Sequence, residues 1–259
     1  MSFSPEERQR YARHLELPGF GEHGQERLRS GRVLVVGCGG LGSPALLYLA
    51  AAGVGWLGFM DSDRVDLSNL QRQIIHSTPD IGRTKVDSVV ARLRALNPHV
   101  KLEPHGERLT AENAPILLAP YGVILDATDN FAAKYLPNDT CVALNKPLVH
   151  AGISAFCGQI LTVRPGQSAC LRCLYPTPPP SSIPEDPSRA GPLGAIPGVI
   201  GSLQAVEAIK ILAGVGALLT DTLLTYDGLE AEFKTLHANR NPACPACGSG
   251  AFPKESSHG

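Results

Sequence analysis

Arg32-Val-Leu-Val-Val-Gly-Cys-Gly-Gly-Leu-Gly42 decides how this chain is to be read. Arg32–Val36 is a short, unbroken apolar run rich in β-branched residues, as expected of a strand buried on both faces. It passes straight into glycines at 37, 39, 40 and 42, and then into a helical stretch, 44–52, closed by Gly53. Gly37, Gly39 and Gly42 have GxGxxG spacing: glycine permits the tight turn and leaves bare backbone for a phosphate near a helix N-terminus. A second apolar run, Trp56–Met60, ends on Asp61, roughly 20 positions after the turn, where an acid meets ribose hydroxyls. The order is strand, glycine turn, helix, strand, acid. It predicts the start of a nucleotide-binding parallel sheet.

Outward from this unit the alternation continues. Residues 5–15 read as a helix, with Ser4 as N-cap and Glu7 completing a capping box. A helix over 85–96, a strand over 100–103, a helix over 111–118 and a strand over 123–126 follow. A helix over 132–144, with Pro137 awkwardly inside it, leads to a strand over 147–150. Strands alternating with helices predict a mostly parallel, Rossmann-like α/β sheet with helices on both faces. Beyond Ala151 the pattern changes. Residues 159–163 are strand-like, 199–213 helical after Pro197-Gly198, and 222–226 and 232–236 form a hairpin around Asp227-Gly228, so the later strands are antiparallel. Residues 176–192 carry seven prolines, which excludes helix or central strand and predicts a mobile loop. The small, polar tail 249–259 is expected to be disordered. With no internal repeat, residues 1–248 are expected to form one domain.

Composition removes several function classes. The 259 residues hold 23 Lys+Arg against 24 Asp+Glu, a net charge of −1, which argues against a nucleic-acid coat or a membrane-binding polycation. A hydrophobic fraction of 43% excludes a disordered chain, and 5% aromatic residues argue against a base-stacking platform. The charged N-terminus has no signal-peptide core, and the apolar stretch after Pro44 is broken by glycines. A soluble cytoplasmic protein is expected, with neither nucleic acid nor membrane as partner. Of seven cysteines, four form CxxC pairs, Cys170/Cys173 and Cys244/Cys247. Together these can offer four thiolates to a tetrahedral, structural Zn²⁺; a redox disulfide pair or unrelated buried thiols are the other readings. Cys38, Cys141 and Cys157 are expected as small core residues.

The charged residues near the glycine turn narrow the chemistry. Arg72 and Lys85 suit a polyphosphate, one as a planar fork and one as a point charge. Asp126 and Asp129 in Asp126-Ala-Thr-Asp-Asn130 offer two carboxylates at a neighbouring strand end, as a partly hydrated Mg²⁺ needs. An NAD-dependent oxidoreductase explains the glycine turn and Asp61 but leaves Arg72, Lys85, Asp129 and the cysteine pairs without a task.

RYARH, GCGGLG, DSDRVDLSNLQRQ, GRTK, DATDN, CLRC, GVIGSLQAVEAIK and NPACPAC occur in order, and the likeness runs from about residue 5 to Gly248. Together they resemble the MoeB/ThiF family, adenylyltransferases that activate ubiquitin-like sulfur carriers. The resemblance implies ATP- and Mg²⁺-dependent adenylation of the C-terminal glycine carboxylate of a small carrier ending in Gly-Gly, by a homodimer. Pyrophosphate is released, and the carrier serves molybdopterin, thiamine or tRNA thiolation. It places the ATP cradle on residues 37–42, Gly40 included, and the ribose acid at Asp61. Asn69, Arg72 and Lys85 match triphosphate contacts, and Asp63, Ser68, Gln71 and Thr128 fall among the nucleotide-binding blocks. Asp129 matches the Mg²⁺-binding aspartate, with Asn130 beside it, and Arg13 an arginine that reaches the partner subunit's triphosphate. Members that form a covalent sulfur linkage have a cysteine where residues 174–196 have none, and no sulfurtransferase segment follows, so adenylation alone is expected. The rivals are a non-catalytic, zinc-stabilised scaffold for the carrier and adenylation of another carboxylate, such as a modified tRNA base.

Overall fold

In the computed structural model, which describes residues 3–178 and 191–248, eight strands form one sheet. They are β1 (Arg32–Val36), β2 (Trp56–Met60), β3 (Lys101–His105), β4 (Val123–Asp126), β5 (Leu148–Ser154), β6 (Cys157–Val163), β7 (Thr222–Asp227) and β8 (Glu232–His237). Their order is β3-β2-β1-β4-β5-β6-β7-β8. β1 to β5 pair in parallel and β6 to β8 are added antiparallel, as the change of pattern after Ala151 predicts. The chain runs outward from β1 to β3 and then crosses to β4 on the other side of β1. The crevice between β1 and β4 is thus a topological switch point, where ligands bind at strand C-termini in such sheets.

The helices are α1 (Pro5–Arg10), α2 (Ala12–Leu15), α3 (Gly21–Ser30), α4 (Gly42–Ala52), α5 (Lys85–Leu96), α6 (Ala114–Leu118), α7 (Phe131–Ala143), α8 (Leu171–Leu174) and α9 (Ala195–Ala213). Successive residues of β1 serve opposite faces. Val33 and Val35 pack into the core beneath α4, α5 and α9, while Leu34 and Val36 pack into a second core with residues of α6 and α7. Both faces are covered, which is why the strand reads as an unbroken apolar run. α9 is long and apolar enough to cross a bilayer by length alone, but here Ile200, Ala205 and Ala208 lie in the sheet core. Its Gln204 Nε2 donates to the carbonyls of Asp126 and Val149 at 2.8 and 3.0 Å. α9 meets α4 at Gly201, where a Cβ would lie 2.2 Å from Leu41 O.

Several elements depart from the sequence reading for tertiary reasons. The expected helix over 5–15 breaks at Tyr11, whose buried hydroxyl accepts from Asn97 Nδ2 at 2.9 Å. α3 has no sequence signal: its Gly-Glu-His-Gly start is poor in apolar residues. It is held instead by buried Leu28 and by Gln25, which bonds His14 and Ala52 O. α9 starts at Ala195 rather than 199, and Pro197 is tolerated because the first helical turn has no use for its missing N–H. Cys38 and Cys141 are buried as expected, but Cys157 is not a core residue. It opens β6 opposite Ser154, beside the turn residue Ala155 (φ 49°), and is exposed. Residues 176–178 and 191–192 lie outside helix and strand, as the prolines require. The rest of the expected mobile loop, 179–190, and the expected disordered tail, 249–259, lie outside the described residues.

Candidate functional site

The glycine turn separates into glycines the fold needs and one it does not. Gly37 has φ 106°, and a Cβ there would lie 2.6 Å from Ala127 O. One on Gly42 would lie 2.0 Å from Gly37 O, and one on Gly40 would sit tightly, 3.1 Å from Pro197. At Gly39 the nearest atom would be Gln73 Nε2 at 3.6 Å, an ordinary contact, so bare backbone there serves something other than internal packing. No side chain caps α4; Ser43 N is taken by Gly39 O at 2.9 Å and Pro44 has no N–H, so the positive dipole end and the amides of the glycine loop just before the helix are what an anion can use. The loop is pinned from below. Cys38 N donates to Asp61 Oδ2 at 2.9 Å, and His76 donates from Nε2 to Cys38 O at 3.1 Å while Nδ1 accepts from Ser88 Oγ at 2.9 Å. Burial lowers the His76 pKa, which favours this neutral tautomer. Nothing in the sequence distinguished His76.

Lys85, at the start of α5, is buried and reaches back to two carboxylates, 2.8 Å from Asp63 and 3.4 Å from Asp61. Burial pushes its ammonium pKa down, but Asp61 and Asp63 together outweigh this and hold it above the ordinary value. Between them a 3-10 turn, Leu67–Asn69, is capped by Asp66, which accepts from Ser68 N and Oγ, while Asn69 Oδ1 accepts from Asp66 N at 3.2 Å. Arg72 donates to Ser68 O at 3.1 Å, and its Cγ lies 3.5 Å from where a Gly40 Cβ would sit. Asn69, Arg72 and the loop are therefore neighbours. Gln71 is exposed, with its carbonyl against Gly194 just ahead of α9.

The two acids after β4 have separate fates, which corrects the expectation of a paired carboxylate site. Asp126 is fully buried and already engaged. It accepts from Thr128 N and Oγ1, from His150 Nδ1 at 2.8 Å, and faces Lys134 Nζ at 3.6 Å. Burial raises its pKa, but Lys134 and His150 more than offset that and keep it below the usual carboxylate range. Its charge is spent inside the protein. Asp129 is exposed and receives only a 3.4 Å contact from Asn130 Nδ2, while Asn130 Oδ1 caps α7 through Ala133 N. Asp129 is the carboxylate left open at this strand end.

Arg13 is not brought to this site. Its side chain is 92% exposed and paired with Glu16. Neighbouring Tyr11 bonds Asn97, which also donates to Ala50 O near the C-terminal end of α4. The glycine loop is at the other end of that helix, roughly 16 Å away for 11 residues.

The four paired cysteines do meet. Their Sγ atoms all lie within 4.8 Å of one another, with Cys170–Cys244 at 3.6 Å and Cys173–Cys247 at 3.4 Å, and no disulfide joins them. Zn–S bonds of about 2.3 Å give tetrahedral S–S edges of about 3.8 Å, so the set fits a metal of that size. A cavity of about 400 Å³ opens beside Asp129 between α7 and β5 to β8, with Lys134, His150, Gln159, Tyr175 and Tyr226 in its wall. Phe131, Phe156, Tyr175 and Phe233 are exposed at this end of the sheet. Its wall is assembled from segments far apart in the chain, so no local motif marks it.

The ThiF family model matches residues 11–246. A sulfur carrier protein adenylyltransferase of Thermus thermophilus is 47% identical over 98% of this chain and 96% of its own length. The SAMP-activating enzyme E1 of Haloferax volcanii is 46% identical over 93% of this chain and 89% of its own. Against the adenylyltransferase and sulfurtransferase MOCS3 of Arabidopsis thaliana, 45% identical, the chain spans about half the relative, 55%. Among solved structures, E. coli MccB with ATP superposes with a TM-score of 0.80 at 23% identity, over 92% of this chain and 74% of that one, which is a likeness of fold. Sequence blocks, sheet topology and these matches agree: the chain belongs to the ThiF family.

Proposed function

We propose that this protein adenylates the C-terminal glycine carboxylate of a small ubiquitin-like sulfur-carrier protein, consuming ATP and releasing pyrophosphate in the cytoplasm. The observation that carries the reading is the convergence of the glycine loop, Asp61, Arg72, Lys85 and an open Asp129 on one switch point, next to a cavity with an apolar rim. The names of the similar Thermus and Haloferax proteins support the substrate class. Residues 1–248 are read as one catalytic unit.

The chemistry follows from charge. A C-terminal carboxylate has a pKa of roughly 3.5 and is ionised at neutral pH, so no general base is needed. A carboxylate oxygen bonds to the α-phosphorus as the bond to pyrophosphate breaks. The protein's work is positioning and neutralisation. Amides of the glycine loop and Arg72 take phosphate oxygens, Asp61 takes the ribose, and Lys85 exchanges its Asp63 contact for the triphosphate. Asp129, whose carboxylate has no strong partner, would hold Mg²⁺ with Asn130 beside it, and the ion would supply further neutralisation of the leaving group. The cysteine cluster would hold a structural Zn²⁺ that ties residues 244–247 to α8. The cavity admits the carrier's tail, and terminal glycines are slim enough to reach Asp129 from it. Arg13, remote from its own chain's loop, completes the site of a second subunit in a homodimer; mixing Arg13→Ala with Asp129→Ala subunits should then restore exchange that neither shows alone.

ATP–pyrophosphate exchange with candidate carriers tests the reading. Exchange should require a carrier with an intact Gly-Gly end; equal exchange with truncated carriers, or none with any, would reject it.

A further inference from the structure

Four buried side-chain polar atoms lack a partner among the described residues: Arg32 Nε, Gln73 Oε1, His150 Nε2 and Gln204 Oε1. Three belong to groups otherwise engaged. Gln204 uses its Nε2 twice, His150 bonds Asp126 through Nδ1, and the Arg32 guanidinium stacks on Trp56 at 3.8 Å. Gln73 differs. It is 5% exposed; its acceptor Oε1 is buried without a partner, and its donor Nε2, which is not one of those buried atoms, meets no acceptor among the described residues. Its backbone is fixed on both sides, with N donating to Asn69 O at 2.9 Å and O accepting from His76 N at 3.0 Å. The idle carboxamide is therefore held in place, and Nε2 faces Gly39, 3.6 Å from where a Cβ would be.

Two independent observations thus coincide. Gly39 is the loop glycine whose bareness internal packing does not explain, and the group next to it is the donor Nε2 of a largely buried side chain, with no protein acceptor among the described residues. A phosphate oxygen accepts and cannot pair Oε1, so the donor Nε2 is the end of the amide that an anion on this turn would use. We propose that Gln73 is a nucleotide-positioning residue whose Nε2 donates to a phosphate oxygen of the nucleotide lying over Gly39. An amide cannot ionise, so it contributes direction where Arg72 and Lys85 contribute charge. The inference rests on the nucleotide part of the proposed function and requires no carrier.

Calorimetric binding of Mg·ATP and of adenosine to the full chain and its Gln73→Met and Gln73→Glu variants tests it, with Tm measured without nucleotide. Gln73→Met replaces an idle amide by an apolar group of similar size, so Tm should hold or rise. ATP affinity should fall about tenfold or more while adenosine affinity stays within about twofold, because the lost bond is to phosphate. Gln73→Glu, which sets a negative oxygen against phosphate, should lose ATP more severely and still keep adenosine. ATP affinity unchanged in Gln73→Met, or ATP and adenosine weakened by the same factor, overturns the proposal. Should the Met variant not fold, Gln73→Asn, which withdraws the amide by one methylene, gives the same contrast. A wild-type chain that binds no ATP overturns this inference together with the nucleotide reading. A chain that binds ATP but shows no exchange with carriers leaves the Gln73 result decisive by itself.

Discussion

The nucleotide-loop region and the cysteine cluster build their sites in different ways. At the C-terminal ends of β1 and β2, the loop, Asp61, Asp63 and Lys85 hold one another within about 50 residues of chain, through contacts spanning 22 to 24 residues. Asp126 meets Lys134 and His150 over 8 and 24 residues, no farther apart than Lys85 and Asp61, whereas Cys170 meets Cys244 across 74. The two acids of the β4 loop show a second contrast. Asp126 points to where β5 and α7 supply a histidine and a lysine, and it becomes structural. Asp129, three residues on, meets neither and stays available. Identical side chains acquire different chemistry from the company the fold gives them.

The sharpest way to break this contrast is to exchange the two acids' consequences. Asp129→Ala should lower ATP–pyrophosphate exchange by about 10³-fold with little change in Tm, since the side chain is exposed. Asp126→Asn should act mainly on stability, costing on the order of 3 kcal/mol, because it leaves the Lys134 ammonium buried without its countercharge. Near-normal exchange in Asp129→Ala, or an unchanged denaturation midpoint in Asp126→Asn, would dissolve the distinction.

The cysteine clip probes the long-range contacts on the face of the sheet opposite the glycine loop. Cys173→Ser with Cys247→Ser should abolish bound zinc in a colorimetric release assay and remove on the order of 3 kcal/mol or more of stability. ATP binding at low temperature should survive, because the glycine loop packs into the core on the other face of the sheet. Smaller effects are expected within the loop. Gly42→Ala forces a Cβ onto Gly37 O and should cost about 2 kcal/mol in denaturant unfolding, whereas Gly39→Ala should leave stability alone and weaken ATP binding.

The gentlest effect is on pH. Burial lowers the pKa of both His76 and His150 in the folded protein. Below about pH 6.5 the unfolded chain takes up protons that the folded one refuses, so folding stability falls as pH is lowered, by at most about 1.4 kcal/mol per pH unit for each histidine. The depressed Asp126 adds stability that persists until acid protonates it below the usual carboxylate range. Denaturant midpoints measured between about pH 7 and 5.5 should slope downward with acidification, and His150→Gln should flatten that slope.

Legibility follows periodicity rather than position in the sheet. β1, β2, β4 and α5 match the sequence reading residue for residue or nearly so, because strands buried on both faces and a capped amphipathic helix declare themselves through periodicity. α3 escaped because its stability comes from Leu28 and Gln25 docking on the rest of the protein, not from its own composition. Tyr11 breaks a helix that local propensity would have continued, since its hydroxyl is wanted by Asn97. Gln73 closes the Asp61–Gln73 block without being singled out there, and His76 lies beyond it; their interest lies in what one lacks and the other supports.

By itself, then, the order of residues determined the strand–glycine–helix unit, the family blocks and the four cysteines that can share a metal, all signals of spacing along the chain. Only the tertiary structure decided that Asp129 rather than Asp126 is the open acid, that Cys157 is exposed, that Arg13 cannot serve its own chain's loop, and that Gln73 waits unpaired beside Gly39. Those are questions of burial and neighbours. Burial and neighbours set both the charge state of a group and whether it has a partner, and neither is written in sequence spacing.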